Sequence, residues 1–170
     1  GKASAMQDAR SRPRKRHETQ THRRTGEIVD AAAHVFAEKG FHGATTQQIA
    51  DRLGIRQASL YYYFKSKEAA LELVCIKGAE VFYERAREIE REQGSAAERL
   101  AALVRAHIEP LRDRAHYMKV FLGERQHLPK ERRGRVARWA KSLEQVFERV
   151  IAEGVAAGEL RAGTDARLAT

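Results

Sequence analysis

Residues Thr45–Lys67 read TTQQIADRLGIRQASLYYYFKSK, and they decide the fold. Thr45 is placed to cap a helix: its hydroxyl can take the amide of Gln48, three residues on, while the Gln48 side chain returns to the cap amide. Ile49 and Leu53 then recur on one face, which predicts a short helix. Gly54 stands where a sharp bend needs positive φ or close backbone approach, and Ile55 can fill the angle between two helices. Gln57 or Ser59 opens a second short helix whose Leu60 and Phe64 point inward. Helix, glycine turn and helix make a helix-turn-helix, and the second helix is the element that would enter a groove of DNA.

The side chains of that second helix suit the edges of bases. Gln57 carries an amide able to pair bidentately with adenine, Ala58 and Ser59 are small enough for close approach, and Ser59 can donate or accept. Tyr62, Tyr63 and Lys67 follow with two phenolic hydroxyls and an ammonium, groups that meet phosphate oxygens and fix a docking angle. Tyr61 reads equally well as a packed aromatic at a helix end.

On the N-terminal side, Ile28, Val29, Ala32, Val35 and Phe36 recur at helical spacing from about Arg24 to Lys39. Gly40 supplies the stop, and Phe41 can fill the corner beneath the helix-turn-helix. His34 and His42 have no partner at metal-ligand spacing and read as ordinary histidines, so no metal is expected. With this helix included, TTQQIADRLGIRQASLYYYFKSKEAAL preceded by AAAHVFAEKGFHGA resembles the DNA-binding domain of the tetracycline-repressor (TetR) family of bacterial regulators, over residues 25–72. The motif is specific, because many positions match at fixed spacing.

The resemblance implies an all-α repressor, usually a two-fold dimer, with an N-terminal three-helix DNA-binding part and a larger helical ligand-binding part. It implies that Thr46, Gln47, Gln57, Ala58, Ser59 and Tyr61 contact bases or the adjoining backbone of an operator, and that Tyr62, Tyr63 and Lys67 hold phosphates. The family often has histidine at the position of Tyr63, whose hydroxyl can still bond a phosphate. The domains expected are a flexible basic arm over residues 1–24, a DNA-binding domain over 25–66, and a ligand-binding and dimerisation domain over 67–170. In the resembled family two more helices follow the last one here and form most of a four-helix dimer interface, so the ligand domain is expected to be truncated or to pair differently.

Charge places the polyanion contact on the same side of the chain. The net charge is +9; up to Lys67 there are 13 Lys and Arg against 6 Asp and Glu, and from Glu68 onward 19 against 17. Most of the excess therefore sits with the DNA-binding part, as expected of a phosphate binder. Gly1–Ala5, ahead of Met6, read as an added leader. The basic arm, with Arg10, Arg12, Arg14, Lys15 and Arg16 and then Arg23 and Arg24, shows no packed face; it reads as a solvated tail when free and as a segment that follows DNA when bound.

Behind the DNA-binding part the pattern is helical throughout. Ser66 caps a long helix carrying Leu71, Val74, Gly78, Val81, Phe82 and Ile89, and Gly94 ends it. Ser95 with Glu98 forms a second capping box ahead of Leu100, Leu103, Val104, Ile108 and Leu111, with Pro110 as the break. A helix with Tyr117, Val120, Phe121 and Leu122 stops at Leu128 and Pro129. The last long one carries Val136, Trp139, Leu143, Val146, Phe147, Val150 and Ile151, is closed by Gly158 and Gly163, and Asp165 looks like the cap of another.

Phe82, His107, Tyr117, Phe121, Trp139 and Phe147 are an apolar, aromatic set with a few polar handles, suited to a cavity for a small hydrophobic effector or to a plain helical core. Residues 121–163 resemble, more loosely, family members that respond to acyl-CoA or related catabolic intermediates. On that resemblance Arg125, Arg132, Arg133 and Arg135 would pair with coenzyme phosphates, or else form a solvated face.

No cofactor is implied. Paired carboxylates, a Ser/His/Asp set, a Cys/His pair and a glycine-rich phosphate loop are all missing, which argues against an enzyme. Cys75 is the single cysteine and suits a reducing cytoplasm, and no apolar run approaches the ~20 residues of a membrane span. A competing reading is a helical interaction module that binds acidic proteins or anionic membrane surfaces through the basic arm.

Overall fold

The computed structural model describes residues 12–109 and 114–161, with side chains from Gln20 onward. Arg10, Pro110, Leu111, Gly163 and Asp165 lie outside the described residues, as do the side chains of Arg12, Arg14, Lys15 and Arg16. Among the described residues the chain is all helical: α1 (Arg12–Gly43), α2 (Thr46–Leu53), α3 (Gln57–Leu60), α4 (Lys67–Glu90), α5 (Ala96–Ile108), α6 (Ala115–Glu124), a 3-10 turn (Arg125–His127) and α7 (Lys130–Ala156). No helix is long and apolar enough to cross a membrane.

α1 starts at Arg12 rather than near Arg24, so the C-terminal half of the stretch read as an arm continues the helix. Local contacts that need no packed face support it: Arg23 and Arg24 both pair with Glu27, at 3.5 and 3.0 Å, and the Thr25 hydroxyl donates to the Thr21 carbonyl at 2.9 Å. At the other end Gly40 adopts φ 69°, ψ 172°, and the helix bends there. The bend turns Phe41 into the core, where it is 7% exposed.

Both expected capping boxes are formed. Thr45 Oγ1 accepts from the Gln48 amide at 3.1 Å while Gln48 Oε1 accepts from the Thr45 amide at 3.0 Å, and Ser95 and Glu98 repeat the exchange at the start of α5. Ser66 Oγ caps α4 through the Ala69 amide.

Two cores hold the helices. The first unites α1, α2 and α3 with the start of α4 and with α6, through Ile28, Phe36, Ile49, Leu60, Leu71, Val74, Tyr117 and Val120. The second lies at the far end, where Ala86 and Ile89 of α4, Leu103 of α5, and Val146, Phe147, Val150 and Ile151 of α7 pack together. The far core is clasped by ions: Glu90 accepts from Arg149 at 2.6 Å and pairs with Arg87, while Arg99 bonds both the Glu90 carbonyl at 3.0 Å and Glu153 at 2.6 Å. The first core crosses the boundary at residue 66, so the helix-turn-helix shares its interior with α6. Ile108 and Leu122, read as stripe residues, are 72% and 65% exposed; the first ends α5 and the second stands at the rim of a cavity.

Candidate nucleic-acid interface and effector cavity

The turn between α2 and α3 is built on Gly54, at φ 65°, ψ 31°. Its amide reaches the carbonyls of Ala50 and Asp51, and the Ile55 amide bonds the Ala50 carbonyl at 3.1 Å. These bonds close α2 and set the direction of α3. α3 is one turn long, opens after Arg56 without a side-chain cap, and runs on through tighter bonds: Tyr62 to the Ser59 carbonyl and Tyr63 to the Leu60 carbonyl. Leu60 is fully buried and Phe64 is 4% exposed, so these two anchor the segment.

The opposite side of the segment faces outward. Ala58 and Ser59 are exposed, Tyr62 is 80% exposed and Tyr61 is 38% exposed. Gln57 is half-buried because its amide donates to Thr46 Oγ1 at 2.7 Å and to the Tyr61 hydroxyl at 3.3 Å, with Thr46 and Tyr61 themselves 3.3 Å apart. Tyr61 is thereby tied to α2 by its hydroxyl rather than packed as a buried ring. Gln47 is exposed and donates to Asp51 at 2.8 Å along α2. Tyr63 is half-buried with its ring edge-on to Tyr62, and the Lys67 ammonium lies 4.3 Å from the centre of the Phe41 ring. Thr46, Gln47, Gln57, Ala58, Ser59, Tyr61 and Tyr62 thus gather around the two short helices, while Tyr63 ends the turn after α3 and Lys67 opens α4.

A cavity of about 520 Å³ opens between α4, α5, α6 and α7. Phe82, His107, Phe121, Arg125 and Trp139 all line it, joined by Met118 and Leu122. A second hollow of about 680 Å³ shares Phe121, Leu122 and Arg125 and adds Arg133. The two together give an apolar interior with guanidinium groups at one end, and Arg125 lies 4.7 Å from the Phe121 ring. Two residues expected at the cavity are placed elsewhere. Tyr117, one turn before Phe121 on α6, is 4% exposed in the first core, and burial, with the Asp30 carboxylate of α1 nearby, pushes its phenol well above the usual range. Phe147 lies in the far core with only its edge toward His107.

Arg132 and Arg135 are likewise committed, both pairing at 2.7 Å with the buried Glu72 of α4. That pair fastens α7 to α4, leaving Arg125 and Arg133 as the guanidinium groups beside the hollow. Cys75 is buried in the first core, and desolvation pushes its thiol up to about 12.

α6 is where cavity and DNA-binding part meet. On one face it carries Met118, Phe121 and Leu122 into the cavity; at its end Glu124 accepts the Phe41 amide at 2.8 Å, beyond the bend at Gly40. The His127 ring stacks on Phe41 at 5.3 Å. Toward the start of α6, His116 Nε2 lies 2.9 Å from Asp30 Oδ1, and its ring stacks on His34 at 3.9 Å. Burial and the neighbouring His116 hold His34 below its ordinary range. None of these joints shows in local patterns, because their partners are separated by more than eighty residues.

Comparison with known proteins agrees with this geometry. Residues 28–74 match the family described as bacterial regulatory proteins, tetR family, and residues 93–170 match the tetracyclin repressor-like C-terminal domain. The fatty acid metabolism regulator protein of Bacillus subtilis is 31% identical over 143 residues, spanning 84% of this chain and 74% of that one. The HTH-type transcriptional repressor KstR2 of Mycobacterium tuberculosis is 29% identical over 150 residues, spanning 88% and 75%. Among solved structures, the transcriptional regulator FadR from Bacillus subtilis in complex with stearoyl-CoA superposes with a TM-score of 0.72 at 31% identity, covering 84% of this chain and 76% of that one.

Proposed function

The chain belongs to the TetR family of bacterial regulatory proteins, and on that footing we propose that it is a cytoplasmic repressor that binds a palindromic operator as a homodimer and leaves it when a long-chain acyl-CoA occupies the cavity. Its relatives are regulators rather than enzymes, and the chemistry asked of it is binding. Each α3 enters a major-groove half-site, with Gln57, Ala58 and Ser59 toward base edges and Tyr62, Tyr63 and Lys67 toward phosphates. Thr46, Gln47 and Tyr61 border the same surface.

The observation that carries the regulatory part is the double duty of α6. The helix that walls the cavity with Phe121 also holds the Phe41 amide through Glu124 at 2.8 Å. An acyl chain between Phe82, Phe121 and Trp139 would press on α6, and the joint at Phe41 would pass that displacement to α1 and so to α3. The effector acts only through its different affinity for the two placements of α6, since equal affinity shifts nothing. Acyl-CoA is favoured among hydrophobic effectors by the apolar cavity and the adjoining hollow that carries Arg125 and Arg133, and by the stearoyl-CoA held by the Bacillus subtilis relative.

Isothermal titration with long-chain acyl-CoA, free coenzyme A and free fatty acid tests the effector. Saturable heat with acyl-CoA, weakened by Arg125→Ala, is expected. No heat, together with unchanged operator affinity, would remove acyl-CoA while leaving DNA binding intact.

A further inference from the structure

One cluster of donor groups has no part in reading DNA or in lining the cavity. Asp30 and His34 stand four residues apart on α1 and so share a face, and His116 reaches the same point from α6. One donor atom from each lies within 4.8 Å of the others. Asp30 faces both rings, with Oδ1 2.9 Å from His116 Nε2 and Oδ2 3.6 Å from His34 Nε2. The two imidazoles are stacked, 13° from parallel with ring centres 3.9 Å apart, so one ring must turn out of the stack for both nitrogens to meet one ion.

We propose that Asp30, His34 and His116 form a binding site for a divalent transition-metal ion of the zinc class, bridging α1 to α6. Two imidazoles and one carboxylate are a borderline-soft set that suits zinc, cobalt or nickel and leaves a fourth position for water. Bonds of about 2.0–2.1 Å in tetrahedral array put neighbouring donors about 3.4 Å apart, so an ion would draw together donor atoms that now lie within 4.8 Å of one another. Access is open: the side chains of Asp30, His34 and His116 are 49%, 35% and 14% exposed.

The site spans the joint that the effector is proposed to move. An ion there would hold α1 and α6 in their present relation, and this consequence for DNA release rests on the regulator reading, whereas metal binding itself does not.

The test uses the full chain, stripped with a chelator and titrated with zinc against a chromophoric competitor, and with cobalt followed by visible absorption. One ion per chain is expected, with the intense cobalt bands of a four-coordinate site and a zinc-dependent rise in melting temperature. His34→Gln, on a half-exposed helix face, should keep its circular dichroism yet bind zinc at least about tenfold more weakly and lose the thermal shift, and Asp30→Asn should weaken zinc by at least about tenfold, the loss that removing even an outer partner brings. His22→Gln, on the exposed side of α1, should behave as the parent does. Absence of stoichiometric zinc binding in the parent chain, or equal zinc affinity in the parent and His34→Gln, would overturn the site. Neither result bears on operator binding, which is read separately by anisotropy on duplex DNA.

Discussion

The Gln57 amide donates to Thr46 Oγ1 at 2.7 Å, joining the first residue of α3 to the first residue of α2. Tyr61 closes the ring from the far end of α3. Both N–H groups of the Gln57 amide are thus engaged, so on the proposed repressor reading one of them, most simply the 3.3 Å bond to Tyr61, is exchanged for a base.

Gln57→Ala should weaken the preferred operator by about 1–3 kcal/mol while leaving unrelated duplexes nearly unchanged. Anisotropy titrations on matched and scrambled sites measure the difference. Equal loss on both would show that Gln57 positions rather than reads.

Lys67→Ala should act differently. Its ammonium stands at the first turn of α4, over Phe41, and its loss should weaken every duplex and lower the salt slope of log K by about one. Titrations across a range of salt concentrations check this. A steeper loss on the operator than on scrambled DNA would contradict it.

Gly54→Ala isolates the backbone of the turn. A Cβ there meets nothing within 4 Å, so the cost is the left-handed φ of 65° alone. We expect about 1–2 kcal/mol of destabilisation in urea unfolding, the usual cost of that conformation for an L-residue, with operator binding reduced beyond that loss if α3 is re-aimed.

Acid stability should depend on Glu90. The hydrogen bond from Arg149, assisted by Arg87, holds its carboxyl below the ordinary glutamate range against the opposing effect of burial. A carboxyl with a lowered folded value stabilises the fold above its unfolded value, about 4.3, and that contribution disappears as the pH falls through the folded value. Arg149→Met should lower the urea midpoint at neutral pH and flatten its decline toward acid. An unchanged pH profile would show that the clasp on the far core adds nothing.

The helix-turn-helix was legible because its signals are local. Thr45 and Gln48 cap one another, Gly54 takes the left-handed bend, and Leu60 and Phe64 fall on one side, all within a span that reads without tertiary knowledge. The cavity was legible in part: aromatic residues at helical spacing mark an interior, but spacing alone does not say which side of α6 meets α1. That is why Tyr117 was grouped with Phe121, four positions on, although the structure turns it toward Asp30. Arg132 and Arg135 were similarly ambiguous until Glu72 of α4 met them. The α1 to α6 joints were not legible at all. The search for metal spacing around His34 passed over Asp30, four residues before it, and His116 arrives only through the packing of α6.

The start of α1 shows the converse. An apolar stripe is one way to support a helix, but the Arg23, Arg24 and Glu27 pairs and the high helix propensity of Arg, Lys and Gln need no core. A search for packed faces alone therefore begins the helix too late.

Protection footprinting of bacterial genomic fragments with the full chain, in the presence and absence of a long-chain acyl-CoA, tests the repressor account most directly. A two-fold symmetric protected site is expected, with half-sites about one helical turn apart or a multiple of it, that disappears on adding acyl-CoA and weakens with Gln57→Ala. Uniform coating of all fragments, with no preferred site at any salt concentration, would contradict it.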